Sequence, residues 1–357
     1  MIRRSFRSKG WLAVGVALLS LLYVSGCNQA DETYKVIYVS NPDAPAAEAG
    51  ALPAAAAERE PYRIAIVPKI TGIPYFNVSE DGAKEAGAHL GVEVIYKGPT
   101  VADAAHQIAV VEELIAQQVD AIAIAANDPE ALAPVMLEAE RRGIKVLTWD
   151  SDTVPHARAF FVNQVDGETL GRHLMDLLAS HLKEEGEFAI MTGSLTAMNL
   201  NEWIEWIKVH RETYYPRMRL VDLVANDENP DKAYELALQM LERHPNLKGI
   251  IGIASISPPA AAKAVTDLGR DVIVVGVSSP GAMQPYIDSG VAPVVTLWSP
   301  KKLGYLTVYL AKQLLDGQMP YDGQEIANVG KIRVKEDVII MGEPLDFTKE
   351  NAVEYDF

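Results

Sequence analysis

Short apolar runs alternate with amphipathic stretches along most of this chain, beginning near residue 62. The apolar runs lie at residues 64–67, 92–96, 121–125 and 145–149. The stretches between them space their apolar residues as one-sided helices do, at about 75–90, 103–118 and 130–142. Runs this short, separated by helical patterns, are typical of βαβ units with a buried parallel sheet.

The same alternation restarts after residue 165 and continues through a helical pattern at 280–288. We therefore predict an α/β fold with two doubly wound, Rossmann-like lobes, because a single sheet would not restart in this way. A strand pattern at 291–298 and a helical pattern at 301–315 follow. Their periodicity does not decide which lobe they join.

The amino terminus has the pattern of a secretory leader. Four basic residues come first, namely Arg3, Arg4, Arg7 and Lys9. The apolar stretch behind them starts at Trp11 and ends near Val24, which is the length of a signal-peptide core and short for a membrane span. It runs into Val24-Ser25-Gly26-Cys27, which resembles the lipobox of bacterial lipoproteins, where cleavage leaves a lipid-modified cysteine. The alternative is an uncleaved anchor helix with an incidental cysteine.

Cys27 is the one cysteine of the sequence, so the folded body has neither an internal disulfide nor a thiolate metal site. We predict a signal peptide at 1–26 and a lipid-anchored spacer at 27–60, rich in Ala and Pro. The protein would then lie outside the cytosol, in the periplasm or at the cell surface. The lipid on Cys27 would hold it to a membrane.

The negative net charge of the chain bears on which classes of molecule it can bind. The sequence has a net charge of −16, and its first 26 residues are basic, so the remainder is more acidic still. An acidic surface repels phosphate backbones, and we expect no nucleic-acid partner. The apolar content of 49% is enough for two packed lobes in 357 residues.

Candidate ligand residues follow the predicted strands, because ligands of open α/β sheets bind beyond the carboxyl ends of the strands. In the first lobe these residues are Lys69, Tyr75, Phe76, Asn127, Asp150, Asp152 and Asn163. In the second lobe they are Asn199, Asn201, Trp203, Ser255 and Ser278. Asp128 and Asp152 have an alternative interpretation as caps of a helix and of a turn. Lys69, at the end of a buried strand, needs an acceptor, which is either the ligand or Asp150.

These side chains are amides, hydroxyls, carboxylates and aromatic rings. Asp and amide groups bind hydroxyls, and aromatic rings pack on the C–H faces of a sugar. The sequence contains no Gly-rich phosphate motif, and we predict no cofactor and no metal. Asp150 and Asp152 are too close on one loop for the two-carboxylate chemistry of glycosidases. We therefore expect a binding protein for a sugar or polyol and not an enzyme.

From residue 62 to residue 317 the chain resembles the type I periplasmic sugar-binding proteins of ABC importers, and is most similar to the rhamnose- and autoinducer-2-binding branch. The resemblance is carried by several motifs, which are Pro68-Lys69, Tyr75-Phe76, Gly98-Pro99-Thr100, Thr148-Trp149-Asp150-Ser151-Asp152, Asn199-Leu200-Asn201-Glu202-Trp203 and Leu297-Trp298. In that family, ligand contacts fall at Lys69, Phe76 and Asp150, and Trp298 joins the candidate site through its motif.

The resemblance implies two lobes joined by a three-segment hinge that closes on the ligand. It implies a first lobe of 61–165 with 290–317, so that the late strand and helix return to it. The second lobe would then comprise 166–289 and 318–345. It also implies a permease partner in the membrane and a body that is monomeric.

Two departures bear on the ligand. Autoinducer-2 binders have Asp-Gln where this chain has Asn199-Leu200, and Pro-x-Ala where it has Ile253-Ala254-Ser255. The pattern of Asn199, Asn201 and Trp203 is closer to the rhamnose-binding members. We therefore expect a deoxyhexose or a related aldose or polyol. The alternative is a receptor for a sugar or autoinducer-2 that presents its closed form to a signalling partner.

Overall fold

The computed structural model describes residues 60–355. The predicted leader, Cys27 and nearly all of the spacer lie outside the described residues. Within 60–355, no helix is both long enough and apolar enough to cross a membrane.

Strands and helices alternate as the sequence predicts. The first series is β1 (Arg63–Val67), α1 (Pro74–Leu90), β2 (Glu93–Tyr96), α2 (Ala104–Ala116), β3 (Ala121–Ile124), α3 (Pro129–Arg141), β4 (Lys145–Trp149) and β5 (Phe161–Asn163). The second series is α4 (Gly167–Leu182), β6 (Gly186–Thr192), α5 (Met198–Tyr214), β7 (Met218–Ala225), α6 (Pro230–Arg243), β8 (Leu247–Gly252), α7 (Ser257–Asp267), β9 (Ile273–Gly276), α8 (Pro280–Ser289) and β10 (Val295–Leu297). The chain continues with α9 (Pro300–Leu315), β11 (Glu325–Ile326), β12 (Gly330–Lys331), β13 (Arg333–Lys335), β14 (Val338–Ile340) and β15 (Leu345–Phe347).

Two sheets form the centres of two lobes. The first-lobe sheet has the order β13-β14-β5-β4-β3-β1-β2 and is parallel except for the β13–β14 pair. The second-lobe sheet has the order β7-β6-β8-β9 and is parallel throughout. The predicted α/β fold with Rossmann-like lobes is confirmed.

Alternate residues of β1 show why the first sheet is buried on both faces. Ile64 and Ile66 pack in an apolar cluster that includes residues of α1 and α9. Ala65 and Val67 pack in a second cluster with residues of α2 and α3. A parallel sheet covered by helices on both sides takes apolar residues at every strand position, which explains the unbroken apolar runs of the sequence.

The chain crosses between the lobes at three places. It leaves the first sheet after β5 and enters α4, which packs on the second sheet. It returns between β10 and α9, because α9 packs on α1 and on strands of the first sheet. It crosses again between β14 and β15. Three neighbouring crossings are the arrangement expected of a hinge.

The late segments differ from the predicted lobe boundaries. The strand expected to rejoin the first lobe is β10, and it pairs with β15 and bridges Val277, next to β9 of the second sheet. Of the segment 290–317, α9 is the part that packs on the first lobe. Conversely, β13 and β14 lie within 318–345, which was assigned to the second lobe, yet they extend the first sheet. β14 pairs with β5, which would otherwise leave an unpaired edge of that sheet.

Helices α1 and α9 touch at a crossing made by two glycines. A Cβ on Gly82 would overlap the carbonyl oxygen of Lys301, and a Cβ on Gly304 would overlap that of Ser79. Both positions therefore require a residue without a side chain. Because α1 carries two of the candidate ligand residues in its first turn, this crossing also fixes part of the site.

We expect Gly304→Ala to lower the free energy of unfolding by about 1–3 kcal/mol, since the extra methyl group must push two helix backbones apart. Chemical denaturation of the purified body measures this change. Gly342→Ala is the matched control, because a Cβ there meets no atom within 4 Å. Equal stability of the two variants would contradict the close packing of α1 on α9.

Candidate functional site

A cavity lies between the lobes at the carboxyl ends of the strands. About 330 Å³ of space outside protein atoms lies there, part of it open to solvent. The first-lobe and crossing residues that line it are Lys69, Ile73, Tyr75, Phe76, Asp150 and Trp298. The second-lobe residues are Asn199, Leu200, Trp203, Glu228, Ile253, Ala254, Ser255 and Val277.

Asp150 lies directly after β4 and is 2% exposed. Its backbone is left-handed, with φ of 60°, a conformation that Asp tolerates better than most residues. One carboxylate oxygen accepts a hydrogen bond from the Tyr75 hydroxyl at 2.7 Å. The other oxygen, Oδ2, has no hydrogen-bond partner among the described residues, although it is buried. Its near charged partner is the Lys69 ammonium at 3.3 Å, and a carboxylate oxygen has two lone pairs, so it can accept a further hydrogen bond at the wall of the cavity.

Tyr75 links Asp150 to Trp298, which lies in the segment that crosses between the lobes after β10. Its hydroxyl accepts a hydrogen bond from Trp298 Nε1 at 2.9 Å while donating to Asp150. Burial raises the pKa of Tyr75 well above its usual value, and the neighbouring charge of Asp150 raises it further. The phenol therefore stays protonated and remains a donor. Its position in the first turn of α1 follows from Pro74, which starts that helix.

Lys69 brings a positive charge into the same cavity. It is 4% exposed, and its ammonium lies 3.3 Å from Asp150 Oδ2 and 3.9 Å from Glu228 Oε1. A buried ammonium needs such partners, because its desolvation would otherwise be very costly. Of the two acceptors expected for Lys69, the ligand or Asp150, the structure shows Asp150 within ion-pair distance, and Glu228 lies farther away.

Aromatic rings form the apolar part of the wall. Tyr75 and Phe76 meet edge to face with centroids 5.0 Å apart, and Trp203 and Trp298 meet at 5.8 Å. Phe76 also packs edge to face on Trp149, which lies beneath it in the core. Locked rings of this kind present fixed faces and edges to a ligand, and their faces suit the C–H surfaces of a sugar ring.

The second lobe contributes polar groups from two elements. Asn199 lies in the first turn of α5, is 5% exposed, and has an unpartnered Oδ1 among the described residues. Glu228 follows β7 and was missed by the sequence analysis. The signal for it existed, since the rule that led to Asp150 after β4 also applies to residues after β7, where no candidate was selected.

Glu228 is a buried acid with few partners. Burial raises the pKa of Glu228 above its ordinary value, the negative charge of Asp150 raises it further, and Lys69 opposes both. The cavity therefore combines two carboxyl groups, one ammonium and one amide. Such a set can bind a donor-rich neutral ligand.

Asp152 has a structural role in place of the predicted ligand contact. Its two carboxylate oxygens accept hydrogen bonds from Arg158 Nε at 3.0 Å and Nη2 at 2.8 Å. The same carboxylate accepts a hydrogen bond from the backbone N–H of Thr153. Asp152 does not line the cavity, because this buried ion pair occupies its carboxylate and the following turn. Its partners are Arg158 and the neighbouring Thr153 N–H, so the carboxylate bonds within the protein in a way that differs from the expected turn cap.

Asn127, Asn201 and Ser278 also bond within the protein and lie outside the cavity lining. The Asn127 side chain donates to the carbonyl of Lys69 at 2.8 Å, so it orders the loop that carries the lysine. Asn201 donates to the carbonyl of Leu195, and Ser278 donates to that of Ser255. Each supports a neighbour of the site and does not face the cavity.

Asn163 lies in a separate cavity near the first crossing. That cavity is also lined by Asp152, Asn199 and Glu202, and Asn163 Oδ1 has no partner among the described residues. The remaining predicted residues come together in the cavity between the lobes described above, namely Lys69, Tyr75, Phe76, Asp150, Asn199, Trp203, Ser255 and Trp298.

The chain is similar both to a protein-family model and to a protein of known ligand. A model of the periplasmic binding protein domain matches residues 64–319. The D-ribose/D-allose-binding protein of Pseudomonas aeruginosa is 30% identical over 271 residues, which are 73% of this chain and 84% of that protein.

Solved structures show the same similarity. An ABC transporter solute-binding protein from Clostridium phytofermentas, with bound L-rhamnose, is 31% identical with a TM-score of 0.78, over 83% of this chain and 98% of that one. LsrB from Clostridium saccharobutylicum, in complex with AI-2, is 26% identical with a TM-score of 0.78, over 83% of this chain and all of that one.

The role of Asp152 can be tested by stability. We expect Asp152→Ala to lower the free energy of unfolding by about 3 kcal/mol, because it leaves the buried Arg158 guanidinium short of a partner. Denaturant unfolding measures the effect. The matched control is Glu138→Ala, which removes an exposed carboxylate paired with two arginines and should leave the unfolding midpoint nearly unchanged. An Asp152 variant as stable as the control would restore Asp152 as a candidate ligand residue.

Proposed function

This chain belongs to the periplasmic binding protein family, whose sugar-binding members serve ABC transporters, and we propose that it captures a monosaccharide between its lobes and delivers it to a permease. The family places the protein outside the cytosol. We propose in addition that the protein is a lipoprotein, held to the membrane by a lipid on Cys27.

The observation that carries the proposal is a pair of buried oxygens, one in each wall of the cavity, that accept no hydrogen bond from the described residues. Asp150 Oδ2 in the first lobe has only its ion pair with Lys69 at 3.3 Å, and Asn199 Oδ1 in the second lobe has no donor among the described residues. Leaving buried oxygens without donors is costly. A ligand with hydroxyl groups pointing both ways would supply the donors, and the aromatic rings would pack on its apolar face.

Closure of the lobes is the step that such a ligand would favour. In this structure the lobes are in contact, since the Thr196 hydroxyl donates to the Asn127 carbonyl at 2.7 Å across the cleft. A ligand that bonds to both walls binds this arrangement better than an open one and shifts the equilibrium towards it. The closed form would then be the one that a permease recognises.

For the identity of the sugar, we propose a rhamnose-like deoxyhexose or a related aldose or polyol. The relative solved with L-rhamnose supports this choice, and so does the pattern of Asn199, Asn201 and Trp203. At the positions where autoinducer-2 binders carry Asp-Gln and Pro-x-Ala, this cavity is lined by Asn199-Leu200 and by Ile253-Ala254-Ser255. The carboxylate and the glutamine amide of those binders are thus replaced here by one amide and one apolar side chain.

Asp150→Asn tests the site. We expect it to weaken sugar binding at least about tenfold, because a charge-assisted acceptor becomes a neutral one, while Asn still tolerates the left-handed backbone. Calorimetric titration with L-rhamnose, D-ribose, D-allose and D-arabinose measures the affinity. Asp81→Asn, on the exposed side of α1, is the matched control. If the Asp150 variant bound the best of these sugars as well as the control does, the proposed site would be wrong.

Cys27→Ala tests the anchor in the full chain expressed in a bacterial host. The unchanged protein should take up radiolabelled palmitate and sediment with membranes. The variant should incorporate no label, because the acceptor sulfur is gone. Absence of label in the unchanged protein, with residues 1–26 still attached, would favour the uncleaved anchor helix.

A further inference from the structure

Glu228 is the charged side chain that the second lobe contributes to the cavity. It is 4% exposed, and it faces Lys69 and Asp150 of the first lobe. The first lobe therefore offers an ammonium and a carboxylate from one wall, and the second lobe offers a carboxylate from the other. Glu228 therefore lines the cavity on the side of the second lobe.

The backbone around Glu228 is held in a conformation that is unusual for these residue types. Asp227 and Glu228 both have left-handed backbones, with φ of 54° and 53°. The N–H of Glu228 donates to Asn226 Oδ1 at 3.1 Å, and Asn226 in turn donates to the Ser257 hydroxyl at 2.8 Å. Left-handed backbone is uncommon in residues other than glycine, and the Asn226 side chain holds this turn in place through the Glu228 N–H.

Gly193 leaves the space that the Glu228 side chain occupies. A Cβ at position 193 would overlap Oε1 of Glu228. The backbone of Gly193 does not need a left-handed conformation, because its φ is not in the range that favours glycine. The glycine therefore provides room for the carboxyl group at the cavity wall.

The carboxyl group has no hydrogen-bond donor among residues 60–355, and its nearest cation is Lys69 at 3.9 Å. Lys69 lies closer to Asp150, at 3.3 Å. Buried carboxylates ordinarily accept several hydrogen bonds. Two oxygens on one carboxylate are spaced to accept hydrogen bonds from two adjacent hydroxyls of a sugar ring.

We propose that Glu228 is a ligand-contacting residue that determines specificity, accepting hydrogen bonds from a pair of adjacent sugar hydroxyls opposite Lys69 and Asp150. The inference rests on the proposed function, since it takes the cavity to be a monosaccharide site. It adds that the ligand carries a vicinal diol facing the second lobe.

The test combines a protein change with a ligand change. Whichever of L-rhamnose and D-ribose binds the unchanged protein more tightly is titrated together with its 2-deoxy and 3-deoxy analogues. We expect Glu228→Gln to weaken binding of the parent sugar about tenfold or more, as for other charge-assisted bonds. Removal of a contacted hydroxyl should cost the unchanged protein about tenfold or more, and the variant less than about threefold.

Two further variants test whether the position of the Glu228 carboxyl group matters and provide a control at an exposed glutamate. Gly193→Ala should reproduce the loss of discrimination with Glu228 still present, because the methyl group displaces the carboxyl group. Glu235→Gln, on an exposed position of α6, should behave like the unchanged protein.

The outcomes separate the two proposals. If both deoxy analogues lost the same factor in the unchanged protein and in Glu228→Gln, Glu228 would have no contact with the hydroxyls and the inference would be overturned. The sugar site itself would still stand. If the unchanged protein bound neither parent sugar nor any other monosaccharide, the proposed function would fail, and the inference with it.

Discussion

The buried ion pair between Lys69 and Asp150 is the interaction on which the rest of the site depends. Both residues lie just beyond strands of one parallel sheet, where the chain has left the ladder but is still fully enclosed. Neither charge would be tolerable there alone. Because the two stabilise each other, the first lobe can hold a charged, polar wall inside the protein.

This pair is braced by a chain of hydrogen bonds that reaches a crossing segment. Trp298 donates to Tyr75, and Tyr75 donates to Asp150. Trp298 belongs to the second of the three connections between lobes, so the position of the carboxylate is linked to the position of the connection. A rotation of the lobes would therefore change the wall that a ligand contacts, which is how a hinge protein couples occupancy to shape.

The cavity contains hydrogen-bond acceptors that the protein itself does not fully satisfy when the lobes are in contact. Asn199 Oδ1 accepts no hydrogen bond from the described residues. Asp150 Oδ2 and the Glu228 carboxyl group have only the Lys69 ammonium as a near charged partner, at 3.3 Å and 3.9 Å. Water or a ligand must supply hydrogens to such groups. A sugar carries many hydroxyls on a rigid ring, and this combination satisfies acceptors on two walls at a low cost in conformational entropy.

Sequence alone determined the strands and helices up to α9, the presence of two lobes and the positions of Lys69 and Asp150. These features depend on local apolar periodicity and on the rule that ligands lie beyond strand ends. Tertiary structure decided the rest. Asp152 pairs with Arg158, six residues away, and nothing in the local pattern distinguishes this pairing from a ligand contact. β14 joins β5 across more than 170 residues, because an unpaired sheet edge needs a partner that periodicity does not identify. Glu228 enters the cavity only because the second lobe folds over the first and Gly193 leaves room for it.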